Sequence, residues 1–316
     1  MIKPELTVTA ESILRQNYNS DEPIKTLIPL KGGEWSAAYK FDFNGQSFII
    51  RLSHTDENFY RDKVAAAWSS PDLPIPQILK LEKYQELYYA ISPFFPGTAF
   101  EELSTDDLEK TIPSFLSMMG ALQSVNLDLV KGYGSIMPDG SGRFNSWAEA
   151  LLAVGNDSPD SLVHGWEKAL SEFPDAQRKF EQFYEQLGKL VVFCPEEKGV
   201  VHSDLIHQNL LVHNHKISAL IDWGCAKIGD SVHDLALFAY FEPWFSAFKE
   251  VNLVQRMQDA YLEQSPKNHK NFDKRMVAYQ LHWALDNMAY CAYRGRRKDI
   301  YEHINRMEEI LMGGAL

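Results

Sequence analysis

The sequence predicts an α+β protein of two lobes: a small lobe built on an antiparallel β-sheet with one main helix, and a larger lobe that is mostly α-helical. Three observations lead to this prediction. Residues 26–93 alternate apolar and polar positions as strands do, the stretch PFFPG at 93–97 ends that pattern, and most of the chain beyond it repeats apolar residues at helical spacing. We therefore expect a first lobe at residues 1–93 and a second at 94–316.

Short-range signals define the elements of the first lobe. The opening stretch MIKPELTVTAESILRQ predicts a short helix with Thr9 as its N-cap. Asn44-Gly45, between alternating runs at 38–43 and 47–52, is typical of a tight β-hairpin. NFYRDKVAAAWSS has apolar residues at helical intervals and is followed by several prolines, so it predicts the main helix of this lobe. Residues 26–52 thus predict an antiparallel meander, and the stretches QILKLEKY and ELYYAISPF predict two more strands that close the segment.

The second lobe combines helices with a few short strands. STDDLEKTIPSFLSMMGALQSV opens on a helix-capping signal, and helical spacing returns from residue 234 to 312. Between these helices lie short apolar runs at 199–201, 210–212 and 217–221, with HNHK as the tight turn between the last two. The polar residues of this region fall at strand ends and in loops, where catalytic side chains often lie.

Composition limits the classes of partner. The 316 residues contain 31 Lys and Arg against 43 Asp and Glu, a net charge of −12 that disfavours nucleic acid or an anionic membrane and suits a cationic small molecule. No apolar stretch approaches the ~20 residues of a membrane-spanning helix. The N-terminal stretch lacks the apolar core of a secretory signal, and the three cysteines form no CxxC pair. We expect a cytoplasmic monomer.

The candidate chemistry lies in VVHSDLIHQNLLVHNHKISALIDWGCA, residues 200–226. Asp204 precedes Asn209 by five positions, and Asp222 follows Asn209 by thirteen, on the far strand of a hairpin whose ends lie near each other. This is the H-x-D-x-x-x-x-N and D-x-G spacing of protein-kinase-like phosphotransferases. In that chemistry one carboxylate accepts the proton of the attacking hydroxyl, while an asparagine and a second carboxylate hold Mg²⁺ through hard oxygen ligands.

Two other interpretations of this stretch stay open. A zinc site could use its histidines and Cys225, although it contains no H-x-x-x-H or C-x-x-C pair. The polar residues could instead be structural, because Asp and Asn commonly stabilise turns.

The blocks HSDLIHQN and IDWGCAKIGDSVHDLA resemble the two hallmark blocks of the aminoglycoside phosphotransferase and choline-kinase-like family, HGDxxxxN and DWxxxxxGDPxxDLA. The stretches KPELT, FYRD, LPIPQIL, GYGSIMPDGSG and ALDNMAY more narrowly resemble the hygromycin B phosphotransferases of that family. The resemblance implies a protein-kinase-like fold. It also implies transfer of the γ-phosphate of ATP or GTP, with Mg²⁺, to a hydroxyl of an aminoglycoside of the hygromycin B type, and therefore a role in antibiotic resistance.

The resemblance also implies roles for individual residues. The catalytic base is Asp204, the Mg²⁺ ligands are Asn209 and Asp222, His202 orients the catalytic loop, and Asp234 braces that loop through its backbone amides. The other three histidines of the stretch receive no role. Ser203 stands where the family pattern has glycine, and Ser231 where it has proline, but neither change removes a reacting group.

In the first lobe the resemblance implies a nucleotide site. Its residues are Gly32, Gly33 and Ser36 in the phosphate-covering loop, Arg51 and Asp62 at the phosphates, and the backbone of Ile91, Ser92 and Phe94 at the adenine. Arg51 replaces the usual lysine and would contribute to catalysis by binding phosphate oxygens in a bidentate manner. A surface arginine at a strand end is the other interpretation of Arg51.

For the acceptor, Glu242 and Asp286 are the carboxylates expected to bind a cationic molecule. A kinase of a small metabolite such as choline, methylthioribose or homoserine remains an alternative, as does a catalytically silent nucleotide-binding module. A protein kinase is disfavoured because only eleven residues separate Asp222 from Asp234, too few for a long activation loop. The sequence leaves open the acceptor, the hydroxyl attacked and the preference between ATP and GTP.

Overall fold

The protein, as a computed structural model, is described over residues 4–18, 27–30 and 35–313. Its first lobe contains a five-stranded antiparallel sheet in the order β1-β2-β3-β5-β4. The strands of this sheet are β1 (Leu27–Pro29), β2 (Ala37–Phe43), β3 (Gln46–Ser53), β4 (Lys80–Tyr84) and β5 (Leu87–Pro93). The antiparallel meander predicted for residues 26–52 is confirmed in β1, β2 and β3, and β5 rather than β4 pairs with β3.

The central hairpin of this sheet forms where the Asn-Gly signal predicts it. Asn44 and Gly45 both have positive φ, at 49° and 73°, and join β2 to β3. A turn with two consecutive left-handed residues matches the twist of the flanking strands. The hairpin therefore fixes the register of β3, which pairs with β2 on one side and β5 on the other.

Two helices flank the sheet. Helix α1 (Pro4–Asn17) buries Ile13 and Leu14 against one face, together with Ile50 and Ile91 of the strands. The expected N-cap at Thr9 is wrong, because Thr9 lies inside α1 and its hydroxyl donates to the carbonyl of Glu5 at 2.9 Å. Helix α2 (Glu57–Ala66) is the predicted main helix of the lobe.

The second lobe is mostly helical, and the expected fold class is confirmed. Its helices are α3 (Thr105–Gln123), α4 (Trp147–Leu152), α5 (Trp166–Ser171), α6 (Pro174–Leu190), α7 (Val232–Phe241), α8 (Ser246–Glu250), α9 (Leu253–Gln264), α10 (Phe272–Tyr293) and α11 (Arg297–Gly313). Helix α10 is buried over most of its length and forms the axis of a core shared with α6, α7 and α11. A helix that is apolar on several sides must be enclosed in this way.

Short strands carry the polar residues of the 200–226 stretch in the second lobe. They are β6 (Thr98–Ala99), β7 (Tyr133–Ile136), β8 (Gly142–Phe144), β9 (Gly199–Val201), β10 (Leu210–His213), β11 (Lys216–Leu220) and β12 (Lys227–Gly229). They form a three-stranded sheet, β11-β10-β6, and a four-stranded sheet, β8-β7-β12-β9. The turn between β10 and β11 is the predicted one, with positive φ at Asn214 and His215.

We propose that the lobes divide where β5 ends, with residues 1–93 in the first and 94–316 in the second. All five strands of the first sheet precede this point, whereas the next strand, β6, pairs with β10 of the second lobe. Among the described helices, none combines the length and apolar character needed to cross a bilayer.

Candidate active site

The loop at residues 202–209, which joins β9 to β10, has an unusual backbone. Ser203, His207 and Gln208 have φ values of 63°, 74° and 70°. Residues other than glycine adopt this left-handed backbone conformation at a cost of about 1–3 kcal/mol each, so the surrounding structure must hold the loop in place. The carboxylate of Asp234 on α7 does so, accepting the backbone N–H of His202 at 2.7 Å and of Ser203 at 2.8 Å. Burial raises the pKa of Asp234 to about 6 although these hydrogen bonds oppose the change.

His202 is held as a neutral imidazole. Its side chain is fully buried, and burial lowers its pKa to about 3. Nδ1 accepts the backbone N–H of Asp204 at 3.2 Å, so the ring proton lies on Nε2, which donates to the carbonyl of Ile221 at 3.1 Å. His202 thus ties the loop that carries Asp204 to the end of β11, the position expected of a residue that orients the loop.

Both carboxylate oxygens of Asp204 are held by neighbouring side chains. Oδ1 lies 2.7 Å from Nδ1 of His207, and Oδ2 accepts a hydrogen bond from the Nδ2 of Asn209 at 2.8 Å. Burial raises the pKa of Asp204, while His207 and Asn209 act in the opposite direction. The Asp204 side chain is still 28 % exposed. It therefore combines fixed orientation with access for a substrate.

Asp222 follows β11 and turns back toward this loop. Its φ of 59° places it in the left-handed region, which redirects the chain after the strand. Burial raises its pKa to about 6, the charges of Asp62 and Asp204 add to that rise, and Arg51 opposes it. Asp222 thus lies within the electrostatic reach of residues from both lobes.

The donor set fits a magnesium ion better than zinc. Asn209 directs its amide nitrogen to the backbone and carboxylate of Asp204, which leaves Oδ1 to act as a ligand beside the carboxylate of Asp222. Oxygen ligands of this kind suit Mg²⁺. Among the described residues, no group of three or more His, Cys, Asp or Glu side chains is arranged to hold a metal ion. His213 and His215, two of the candidate zinc ligands, lie exposed at the end of β10 and in the turn that follows it.

Arg51 of β3 is part of a link between the lobes rather than an isolated surface residue. Its guanidinium pairs with Oδ2 of Asp62 on α2, and the two side chains are only 18 % and 6 % exposed. Oδ1 of Asp62 accepts the backbone N–H of Trp223 at 2.9 Å, directly after Asp222. Although burial opposes it, the charges of Asp62 and Asp222 raise the pKa of Arg51.

The register of the first sheet indicates which side chains accompany Arg51. Ala38 and Ala90 are its direct neighbours on β2 and β5, and Ser92 is opposite Ile49 in the next row. Directly opposed residues in an antiparallel sheet share one face. The two small alanines leave room beside the guanidinium, on the face opposite α1. The alternation of residues along β2, β3 and β5 is the sequence signal that puts Ala38, Ile49 and Ala90 on the same face as Arg51. The sequence analysis named none of these three residues.

Two of the backbone groups expected to contact adenine have hydrogen-bond partners in the sheet. The N–H of Phe94 donates to the carbonyl of Ser47 at 3.0 Å, and the carbonyl of Ile91 accepts the N–H of Leu79 at 2.8 Å. The Ile91 side chain is fully buried on the α1 face. These backbone groups serve the sheet, since antiparallel pairing extends to the end of β5. Ser92 lies on the Arg51 face.

The expected phosphate-covering loop is described only in part. Ser36 is half-buried in the bend directly before β2. Gly32 and Gly33 lie outside the described residues.

The acceptor side of the site contains three further groups. They are Cys225, which follows Asp222 by three positions, Lys227 on β12 and Asp286 on α10. Asp286 is solvent-exposed, yet desolvation by the surrounding protein raises its pKa, with Lys227 opposing and Asp204 adding to the change. The exposed thiol of Cys225 has its pKa raised to about 12 by desolvation and by the charges of Asp204, Asp222 and Asp286, with Lys227 opposing. The charge of Asp204 thus reaches Asp286, and the role of Asp286 in binding the acceptor stays a prediction.

His207 was left without a role by the sequence, and that interpretation is wrong, because it pairs with Asp204. Its ring also makes an edge contact with Phe241, at 5.9 Å between centroids. Phe241 in turn packs against Trp244, which is 43 % exposed. Glu242 is half-buried between these two aromatic residues in the chain. Glu242 thus directly follows α7, and its role in binding the acceptor stays a prediction.

Comparison with known proteins decides the family. A model of the phosphotransferase enzyme family, APH, matches residues 26–270, most of the chain. The chain belongs to this family. The expected family and the expected enzyme class, a phosphotransferase with an alcohol group as acceptor, are confirmed.

Relatives of this APH phosphotransferase include a hygromycin-B kinase and aminoglycoside phosphotransferases. It is 28 % identical to the hygromycin-B 4-O-kinase of Escherichia coli over all of this chain and 88 % of that protein. It is 24 % identical to an aminoglycoside 3′-phosphotransferase of Enterococcus faecalis over 64 % of this chain and 74 % of that one. The aminoglycoside phosphotransferase APH(4)-Ia superposes with a TM-score of 0.83 at 25 % identity, covering 98 % of this chain and 99 % of that one. A thermostable mutant of APH(4)-Ia with AMP-PNP and hygromycin B gives 0.82 at 26 % identity, covering 97 % and 99 %.

Proposed function

We propose that this enzyme transfers the γ-phosphoryl group of ATP or GTP to a hydroxyl of an aminoglycoside of the hygromycin B type, and so confers resistance to it. One observation carries the proposal: Asp204, Asn209 and Asp222 meet beside the Arg51–Asp62 pair, with Asp286 in the electrostatic field of Asp204. The similarity to the hygromycin-B 4-O-kinase supports the acceptor class.

The proposed reaction needs one proton acceptor and one correctly placed nucleophile. The acceptor's hydroxyl oxygen forms a bond to the γ-phosphorus, the bond to the bridging oxygen breaks, and the hydroxyl proton passes to the Asp204 carboxylate. Asn209 donates to the other oxygen of this carboxylate and keeps it oriented. Positioning and charge neutralisation supply most of the catalysis in reactions of this kind.

The nucleotide would lie on the Arg51 face of the first sheet. Arg51 is held by Asp62, so its guanidinium is oriented before the phosphates bind. Asn209 and Asp222 would hold Mg²⁺, which, when bound, neutralises charge on the phosphate oxygens. The link from Asp62 to the backbone of Trp223 keeps Arg51 and Asp222 in register across the lobes.

A cationic acceptor suits the carboxylates of the acceptor side. Asp286 is exposed in the cleft near Asp204, and Glu242 lies close to the aromatic residues at the end of α7. Trp244 offers an exposed aromatic surface on which a sugar ring can stack. The cytoplasmic location and the monomeric state stay predictions.

The test is nucleotide turnover by the purified protein across hygromycin B, other aminoglycosides, choline and methylthioribose, with both ATP and GTP. Selective turnover with hygromycin B supports the proposal. Turnover with choline or methylthioribose alone would contradict the resistance function and support a metabolite kinase. Nucleotide binding without turnover on any acceptor would contradict both and support a silent module.

A further inference from the structure

Lys227 occupies a position in the candidate active site that the catalytic chemistry leaves unexplained. It lies on β12, directly opposite Val201 of β9, and β9 leads into the catalytic loop. Its ammonium donates to the hydroxyl of Ser203 at 2.9 Å and to the carbonyl of Cys225 at 3.4 Å. It also lies 5.9 Å from the ring of Trp283. A flexible lysine side chain is thus fixed by three partners.

The residue that Lys227 contacts is itself unusual. Ser203 stands where the family pattern has glycine, and its φ of 63° is a conformation that glycine adopts without steric cost. It is 4 % exposed, and its N–H donates to Asp234. A side chain in this position requires room and a partner for its hydroxyl, because a buried polar group without one is destabilising. Lys227 is that partner.

The contact bears on the candidate base. Ser203 directly precedes Asp204, so the anchor on the serine hydroxyl constrains the peptide that carries the catalytic carboxylate. Trp283, whose ring lies beside the Lys227 ammonium, is itself fixed, since its Nε1 donates to the carbonyl of His233 at 3.1 Å. The chain of contacts runs from α10 through Lys227 and Ser203 to Asp204. It is independent of the Asp234 contact, which acts on the backbone of the same loop.

We propose that Lys227 is a positioning residue for phosphoryl transfer: acting through the hydroxyl of Ser203, it fixes the segment of the catalytic loop that orients Asp204. The serine and the lysine form a unit that replaces the bare glycine of the family pattern. The proposal rests on the phosphotransferase activity of the chain and on the role of Asp204.

A double-mutant cycle on turnover tests the proposal. Lys227→Met keeps the apolar stem and removes the ammonium, and Ser203→Gly removes the hydroxyl. With hygromycin B as acceptor, we expect Lys227→Met to lower kcat by about 10- to 100-fold, as small misplacements of reacting groups do, while KM for the nucleotide stays within twofold. In the Ser203→Gly background the same change should lower kcat less than threefold. Lys227→Arg, which keeps a donor and the charge, should restore kcat to within threefold of the wild-type value.

Controls separate this role from general damage to the protein. Lys216→Met, at the exposed first position of β11, should leave kcat and KM unchanged. Equal losses of kcat from Lys227→Met in the two backgrounds would overturn the proposal, because the lysine would then act without Ser203. A kcat within twofold of wild type in Lys227→Met would overturn it as well.

Two measurements keep the proposal testable if hygromycin B is not the acceptor. Absence of wild-type turnover with every aminoglycoside would count against the proposed acceptor class, and the same cycle is then measured on the slow hydrolysis of ATP with water as acceptor. Urea unfolding of the wild type, Lys227→Met, Ser203→Gly and the double variant measures the strength of the contact between Lys227 and Ser203. We expect a coupling of at least threefold in the unfolding equilibrium constant, and additive effects would overturn the proposal.

Discussion

The substitution Asp62→Asn tests the link that joins the two lobes at the nucleotide site. It removes the charge that pairs with Arg51 while keeping the size of the side chain, and the 6 % exposure of Asp62 leaves little water to compensate. Removing one partner of a buried ion pair costs about 3–5 kcal/mol, because the remaining charge stays buried. Arg51 retains the field of Asp222. We therefore expect a loss of about 3 kcal/mol in the free energy of unfolding, at the lower end of that range.

The assay is urea unfolding followed by the fluorescence of the seven tryptophans, of which Trp223 directly contacts Asp62. The matched control is Glu109→Gln, which breaks an ion pair with Arg256 at 2.8 Å in which the side chains are 50 % and 40 % exposed. Exposed pairs contribute at most about 1 kcal/mol. Equal losses in the two variants would refute the reasoning, because burial would then have no effect on the strength of the pair.

Three further predictions follow from buried contacts. Arg275→Leu leaves Asp230, 2 % exposed, without its cation and should lower the free energy of unfolding by about 3–5 kcal/mol in urea; a loss below about 1 kcal/mol would contradict this. Gly224→Ala places a Cβ 2.7 Å from Asn58 and should lower the free energy of unfolding in urea by about 1–3 kcal/mol; adding Asn58→Ala should recover most of that loss, and no recovery would count against the clash. The pKa of Asp234 is raised to about 6, so between about pH 4 and pH 6 the folded state binds a proton that the unfolded state has released. The contribution of Asp234 to the free energy of unfolding therefore falls as pH rises through this range. The destabilisation caused by Asp234→Asn should therefore shrink over that range in urea unfolding, and growth of the difference with pH would contradict the sign.

The sequence predicted the parts of the fold that depend on local signals. The Asn44-Gly45 turn and the His213–Lys216 turn both form, because two consecutive left-handed residues specify a hairpin with little help from the rest of the chain. The spacing of Asp204, Asn209 and Asp222 likewise placed three polar groups together, since a hairpin fixes the separation of its ends. The two-lobed α+β class followed from the change of periodicity near residue 93.

Other features depend on contacts that spacing does not reveal. Thr9 resembles an N-cap, but a helix that begins at Pro4 has an N-terminus suited to proline, and the threonine falls inside it. Phe94 was expected to face adenine, yet sheet pairing continues past the end of β5 and uses its N–H. His207 was set aside with the histidines of the turn, although its left-handed backbone turns the ring toward Asp204.

Four short strands of the second lobe, β6, β7, β8 and β12, were the largest omission from the sequence prediction. Strand β12 has only three residues, and its pairing with β7 and β9 joins segments about 25 to 90 residues apart in the chain. Local patterns give no register for such a strand. Its register nevertheless places Lys227 opposite Val201 and within reach of Ser203. The interactions that distinguish this chain from the family pattern therefore became visible only in three dimensions.

The central claim is that Asp204 accepts the hydroxyl proton during phosphoryl transfer. Its most direct test is Asp204→Asn, measured by steady-state turnover with the acceptor that the wild-type enzyme uses and by equilibrium binding of the nucleotide. General-base assistance contributes about 10²–10⁴-fold, so kcat should fall by that factor while the Kd for the nucleotide stays within a few-fold of wild type. An Asp204→Asn protein that phosphorylates its acceptor at the wild-type rate would contradict the account.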